Sequence, residues 1–275
     1  MKTLIDHHIH LGYGDFRKEN RSTKYINTPL DSAYNNLLQY VGTPIKELRD
    51  GSDKEMLAFQ LKAEAADLGI KLLCCGRGLV KKECYGRHLG YPLNTMDDLK
   101  GELNFLAEKG VDCFKVVQSG LVDMTGAPQV ENSYFNDAEL LYIREFANHC
   151  HIPVMVHVNF PNAIESIVDV GMDSIEHGYF ITEELLKKMQ KKGVAWTPTL
   201  APFANTLVYD RWIKGWDRTV VKNIVATQRK MVKRGAELGV KILIGSDAGS
   251  SIVPHGSGTL DEHSLLQEII GDSYE

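Results

Sequence analysis

Residues 3–12 read T-L-I-D-H-H-I-H-L-G, from Thr3 to Gly12. Aliphatic residues near the start and a closing glycine make Thr3–His10 a strand followed by a turn. An open doubly wound sheet usually carries a glycine-rich phosphate turn after its first strand. Here that place holds two histidines at alternate positions, His8 and His10. The stretch therefore favours a closed barrel, in which chemistry is done where the strands end.

Outward from this strand, short apolar runs alternate with longer amphipathic ones. Further strands are expected at Pro44–Leu48 (the least patterned), Ile70–Cys75, Val111–Gln118, Pro153–Val158, Asp173–Glu176, Val194–Thr199 and Val240–Gly245. Helices are expected at Asp31–Val41 with Asp31 as cap, from Ser52 or Asp53 to Leu68, and at Thr95–Lys109, Asn136–His149, Asn162–Val170, Thr182–Lys192, Arg218–Leu238 and Thr259–Ile270. Gly69, Gly110, Gly171, Gly193 and Gly239 stand where helices should stop. Eight strand–helix units imply parallel strands and a (β/α)8 TIM barrel. The chain has 275 residues, close to the ~250 that one barrel needs. Residues 1–275 are accordingly read as one barrel domain, with no linker or low-complexity break.

Composition narrows the functional classes. The chain is 43% hydrophobic and 24% charged, which suits a folded globular protein rather than a disordered one. Its net charge of −5 and the lack of a Lys/Arg block argue against nucleic-acid binding. No apolar run is long enough to span a membrane, and Met1–Gly12 lacks a signal-peptide core. Five irregularly spaced cysteines read as small apolar residues of a reduced cytoplasmic protein. The expected partner is a small molecule, with a homo-oligomer left open.

Polar residues at strand ends carry the chemistry. His8 and His10 share one face of the first strand, because strand side chains alternate. Asp6 has the same parity one layer deeper, where it would orient a ligand. Lys115 lies inside C-F-K-V-V, in a strand buried on both faces. Burial there would favour the uncharged amine, although a lysine at a strand edge could also reach solvent. His157 ends V-M-V-H, His177 ends S-I-E-H, and Asp247 follows I-L-I-G-S. Taken singly, each has an ordinary alternative as a satisfied core histidine or a helix cap. Gly245 and Gly249 fit a tight turn around Asp247.

The ordered set H-x-H, Lys, His, His, Asp resembles the amidohydrolase superfamily. The pieces D-H-H-I-H, F-K-V-V-Q-S-G, S-I-E-H-G and G-S-D-A-G are most similar to its imidazolonepropionase-related and prolidase-like branch. The resemblance implies that His8, His10 and Asp247 hold one divalent metal, and His157 and His177 a second. It implies that Lys115 carries a carboxyl group gained from carbon dioxide and bridges the two ions. Imidazole and carboxylate donors suit zinc foremost. Paired ions would share a hydroxide and polarise an amide carbonyl, and Asp247 would pass a proton to the leaving nitrogen. An amide or cyclic amide is then the expected substrate, with dipeptides and N-acyl amino acids as candidates.

Two other functions compete: a mononuclear deaminase of the same superfamily, whose members typically lack the bridging lysine, and a non-catalytic metal-binding relict barrel. Relatives usually add a small β-sandwich from segments flanking the barrel, and this sequence shows none. It is expected to be either a compact member or an incomplete chain. Asn159 stands where several relatives have another histidine. Arg87, His88 and Tyr91, with Tyr85 in the same loop, and His255 in P-H-G-S-G are candidates to grip substrate, Arg87 as a clamp for a carboxylate. His7 should face away from His8, and His149, His151 and His263 should lie at the surface.

Overall fold

The computed structural model describes residues 3–14, 28–210, 212–250 and 252–275. In chain order the elements are β1 (Leu4–Ile9), α1 (Pro29–Leu38), β2 (Ile45–Asp50), α2 (Leu57–Gln60), α3 (Lys62–Asp67), β3 (Lys71–Cys74), β4 (Val80–Lys81) and β5 (Pro92–Leu93). They continue with α4 (Met96–Lys109), β6 (Phe114–Val117), α5 (Asp137–Cys150), β7 (Val154–Val158), α6 (Pro161–Val170) and β8 (Ser174–His177). The last are α7 (Glu183–Lys192), β9 (Ala195–Thr197), α8 (Ala201–Val208), α9 (Arg218–Glu237) and α10 (Ser257–Ile270).

Two parallel ladders, β1-β2-β3 and β6-β7-β8-β9, form the two arcs of the barrel. Backbone hydrogen bonds join the arcs at both seams. At one seam, Leu79 N donates to Lys115 O at 2.7 Å and Asp112 N donates to Cys74 O at 2.9 Å. At the other, Leu243 N donates to Trp196 O at 2.8 Å and His7 N donates to Ile244 O at 2.8 Å. The result is the α/β (β/α)8 barrel that the repeated units imply.

The eighth strand is less regular than its sequence suggests. Val240–Gly245 forms a single bridge, Trp196 to Ile242, instead of a continuous ladder. Gly245 shows why the seam is tight: a Cβ there would collide with the Thr197 methyl and stand 2.9 Å from His8 Cβ. No other residue type lets β1 and β9 approach so closely.

Local chemistry sets the helix boundaries. Thr28, not Asp31, caps α1: its side chain accepts from Asp31 N, and the Asp31 carboxylate reaches back to Thr28 N. Thr95 with Asp98, and Asn136 with Glu139, form the same reciprocal box on α4 and α5. The single helix expected from Ser52 or Asp53 to Leu68 is two short ones, α2 and α3. Met56 precedes them with φ 55°, while the Asp53 carboxylate accepts from Leu57 N at 2.9 Å. The β4–β5 pair and α8 have no strong sequence signal and sit within loops.

Every residue of β6, β7 and β8 is buried, as expected for parallel strands covered by helices. Leu103 and Leu106 of α4, Ile143 of α5, Ile164 and Ile167 of α6 and Leu186 of α7 close over them with no exposed surface. Each such side chain contributes roughly 1.5–3 kcal/mol on burial. Trp196 is the largest fully buried side chain, and its indole N–H donates to His177 O at 3.0 Å, tying β9 to the end of β8. Cys74, Cys75 and Cys113 are buried, and the five cysteines are unbridged. No helix among the described residues is long and apolar enough to cross a membrane.

Candidate metal centre

Parallel strands in a barrel end together, so side chains at their C-terminal ends converge on one mouth. The alternation of β1 works as expected: His8 and His10 point inward with their Nε2 atoms 3.3 Å apart. Asp247 Oδ1 stands 3.6 Å from His8 Nε2 and 3.5 Å from His10 Nε2. Donor atoms of these three residues all lie within 4.8 Å of one another, close enough to share one ion. Lys115 Nζ of β6 is 3.4 Å from His8 Nε2. His157 and His177 complete the group, with ring centroids 4.5 Å apart, and His177 is 4.9 Å from His8. All six residues singled out in the sequence thus meet at one place.

Each imidazole has its remaining nitrogen occupied, which fixes the ring and its tautomer. His8 Nδ1 lies 2.7 Å from Glu176 Oε2, and His10 Nδ1 lies 3.2 Å from the Ser52 carbonyl. His177 Nδ1 meets Thr199 Oγ1 at 2.8 Å. The His157 ring is bonded to the Gly120 carbonyl, which also accepts from Asn159 Nδ2 at 2.9 Å. Asn159 Nδ2 stands 3.4 Å from His157 Nε2. In His8, His10 and His177 the nitrogen turned to the group is Nε2.

The carboxylate that orients a histidine is Glu176, not Asp6. Asp6 accepts from His8 N, Ser246 N, Ser246 Oγ and Thr259 Oγ1. It therefore pins the backbone of β1 to the segment before Asp247 instead of a ring. The far oxygen of Glu176 accepts from Arg49 at 3.0 Å and Ser174 Oγ at 2.6 Å. The sequence held a signal for this: an acid inside the apolar strand S-I-E-H must have a partner.

Backbone conformation shapes the mouth. Eight described non-glycine residues have positive φ, and four of them stand here: Ser52 (87°), His177 (70°), Thr199 (47°) and Asp247 (57°). Such conformations are costly without glycine and concentrate where function needs them. The turn at His177 lets it and its neighbour Glu176 both face the interior, which simple alternation forbids.

Burial sets the protonation states. It pushes His10 and His157 down to about 3, with further lowering by the nearby Lys115 cation. His8 and His177 are pushed well below the usual histidine range by burial first and neighbouring cations second. All four are thus neutral at pH 7, the form that donates a lone pair to a metal. Burial also lowers Lys115 and raises Asp247 to about 7. Among the described residues no carboxylate is within ion-pair distance of Lys115 Nζ, and burial disfavours its ammonium form against the weaker opposing pull of Glu176 and Asp247.

Above this floor opens a cavity of about 480 Å³, lined also by Tyr13, Tyr85, His88, Leu121, Val122, Asn159, Tyr179, Phe203, Ile213 and Trp216. Of the five residues expected to grip substrate, Tyr85 and His88 line it. Arg87 is exposed outside it, and Tyr91 packs beside Lys54 and Arg77. His255 is buried, with Nδ1 on the Tyr40 hydroxyl and Nε2 on the Tyr13 carbonyl. The Tyr85 ring packs 5.2 Å from His157. His7 turns away from the cavity, as its parity requires, and burial pushes it down to about 4.

The sequence profile of the Amidohydrolase family matches residues 2–270. Uncharacterised proteins of Mycobacterium tuberculosis and Mycobacterium bovis are 26% identical, over 97% of this chain and 68% of theirs. A solved Xaa-Pro dipeptidase with bound methionine in its active site is similar at TM-score 0.77, with 20% identity, covering 98% of this chain and 70% of that one. The ochratoxinase of A. niger is similar at TM-score 0.78, with 18% identity, covering 98% and 67%. At such identities the two solved structures show the shared fold. The profile spans nearly the whole barrel that gathers these donors, and the chain accordingly belongs to the amidohydrolase family, metal-dependent hydrolases acting on carbon–nitrogen bonds.

Proposed function

We propose that the chain is a binuclear amidohydrolase cleaving an amide or cyclic-amide C–N bond, with residues 1–275 as one barrel domain. The observation that carries this reading is Lys115: buried, without an ion-pair partner among the described residues, and 3.4 Å from His8 Nε2. Burial that disfavours the ammonium would let Lys115 attack carbon dioxide through its free-amine form, forming an N–C bond and releasing one proton. The product would be an anionic carbamate available to both metal sites. His8, His10 and Asp247 would hold one divalent ion and His157 and His177 the other, with the carbamate reaching both. Zinc fits the donor set of neutral imidazoles and carboxylate oxygens. When bound, the paired ions supply a nucleophilic water at neutral pH and polarise the scissile carbonyl.

The protein's own residues do the rest. Glu176, Ser52 and Thr199 hold the imidazoles in the tautomer that presents a lone pair. Asp247, raised to about 7 by burial, is poised to accept the proton of the attacking water at its carboxylate. It then returns that proton to the leaving nitrogen, which departs as a neutral amine. The competing reading is a mononuclear deaminase built on the His8, His10 and Asp247 set. It leaves the burial of Lys115 without a purpose, and a relict barrel leaves the whole oriented set without one. The test is metal analysis of protein prepared with Zn²⁺ and bicarbonate, together with a screen of amides and cyclic amides. Two ions per chain and turnover are expected; near-zero metal, unaffected by changes to the six residues, would contradict the reading.

A further inference from the structure

We propose that the cavity takes uncharged amides with an aromatic or branched apolar group beside the scissile bond, and rejects those with a free carboxylate or ammonium there. The inference rests on the hydrolase reading of the same site and adds its substrate class. Among the described residues, the charged side chains lining the cavity are Lys115 and Asp247, and both stand on the floor. Both are occupied in the metal set. A charged substituent higher in the cavity would lose its water and meet no opposite charge among the described residues.

What it meets instead is apolar. Tyr179, Phe203 and Trp216 form a continuous row, with ring centroids 4.6 Å and 5.6 Å apart. Leu121, Val122 and Ile213 also line the cavity. The Tyr179 hydroxyl donates to the Thr199 carbonyl at 3.0 Å, so its ring, not its oxygen, is free for a ligand. Leu121 is 59% exposed, an apolar side chain that a ligand in the cavity would cover. A volume of about 480 Å³ admits a ring and a short acyl chain together. Dipeptides and N-acyl amino acids fit this wall poorly, because each brings a carboxylate.

Three 4-nitroanilides with similar short acyl chains test the proposal: butyryl (neutral), succinyl (anionic) and β-alanyl (cationic). Calorimetric binding to the metal-free protein gives a readout independent of turnover. The butyryl compound should bind at least about 10-fold more tightly than either charged one, and the zinc-loaded enzyme should prefer it by about 100-fold in kcat/KM. Equal or tighter binding of a charged compound, or binding of none, would overturn the proposal. Ranked binding without hydrolysis would support the selectivity and count against the hydrolase reading. Leu121→Arg, at an exposed position that tolerates the longer side chain, should tighten succinyl binding by about 10-fold. Unchanged succinyl binding to a folded Leu121→Arg protein would place the acyl group elsewhere and contradict the proposal.

Discussion

The floor of the cavity and the loop that follows β3 are built by opposite rules. On the floor, the metal-facing side chains sit on strands or just beyond their ends, and each imidazole has a second partner that fixes its ring. In the loop, Arg87 and Tyr91 project away from the cavity, and only His88 and Tyr85 reach it. Strand register dictates where a side chain goes, whereas a loop residue goes where its turns and packing send it. The comparison teaches that polar residue type identifies chemistry only where the backbone also dictates direction.

The largest effect that could break this contrast lies on the floor. Asp247→Asn keeps the shape of the side chain but removes its capacity to take a proton. Turnover by the zinc-loaded enzyme should fall by about 10²–10⁴-fold, as for loss of a positioned acid–base group. A loss below tenfold in steady-state kinetics would remove Asp247 from that role. Next is Glu176→Gln, which leaves His8 in place but weakens its hold. Zinc affinity by competition with a chelator, or kcat, should drop by about 10–100-fold. An unchanged affinity and rate would mean that ring orientation is set elsewhere.

Acid sensitivity sharpens the same contrast. His10 and His157 are held at about 3 in the folded protein, against about 6.5 when unfolded. Below 6.5 the unfolded chain binds more protons, so their stability contribution is complete above that pH and is lost as pH falls towards 3. At pH 5 each would have lost about 2 kcal/mol. Urea unfolding of the metal-free protein at pH 7.5 and 5.0 should show a drop smaller by about this amount in His157→Asn. Identical drops would contradict the burial argument. The smallest effect belongs to the loop: Arg87→Met should change KM less than about twofold, as for an exposed residue away from the site. A tenfold rise for an acidic substrate would restore Arg87 as a clamp.

The parts legible in the sequence are those governed by periodicity. Alternation puts His8 and His10 on one face, and the apolar run around Lys115 signals its burial. The Thr95 and Asn136 caps are also visible, because their partners lie three residues away. Three features escape such rules. His177 and Asp247 reach the group through backbone turns of positive φ, and one sequence does not reveal φ at a non-glycine residue. The role expected of Asp6 falls to Glu176 because their donors, Ser246, Thr259 and Arg49, come from distant segments. The aromatic row of Tyr179, Phe203 and Trp216 is assembled from three separate stretches, with no periodicity to announce it.

The central claim is that Lys115 links two metal sites. Its most direct test is zinc stoichiometry of wild-type protein and Lys115→Ala, each prepared with Zn²⁺ and bicarbonate and measured by elemental analysis. Two ions per chain in the wild type and no more than one in Lys115→Ala are the results this account predicts. The same stoichiometry in both proteins would contradict it.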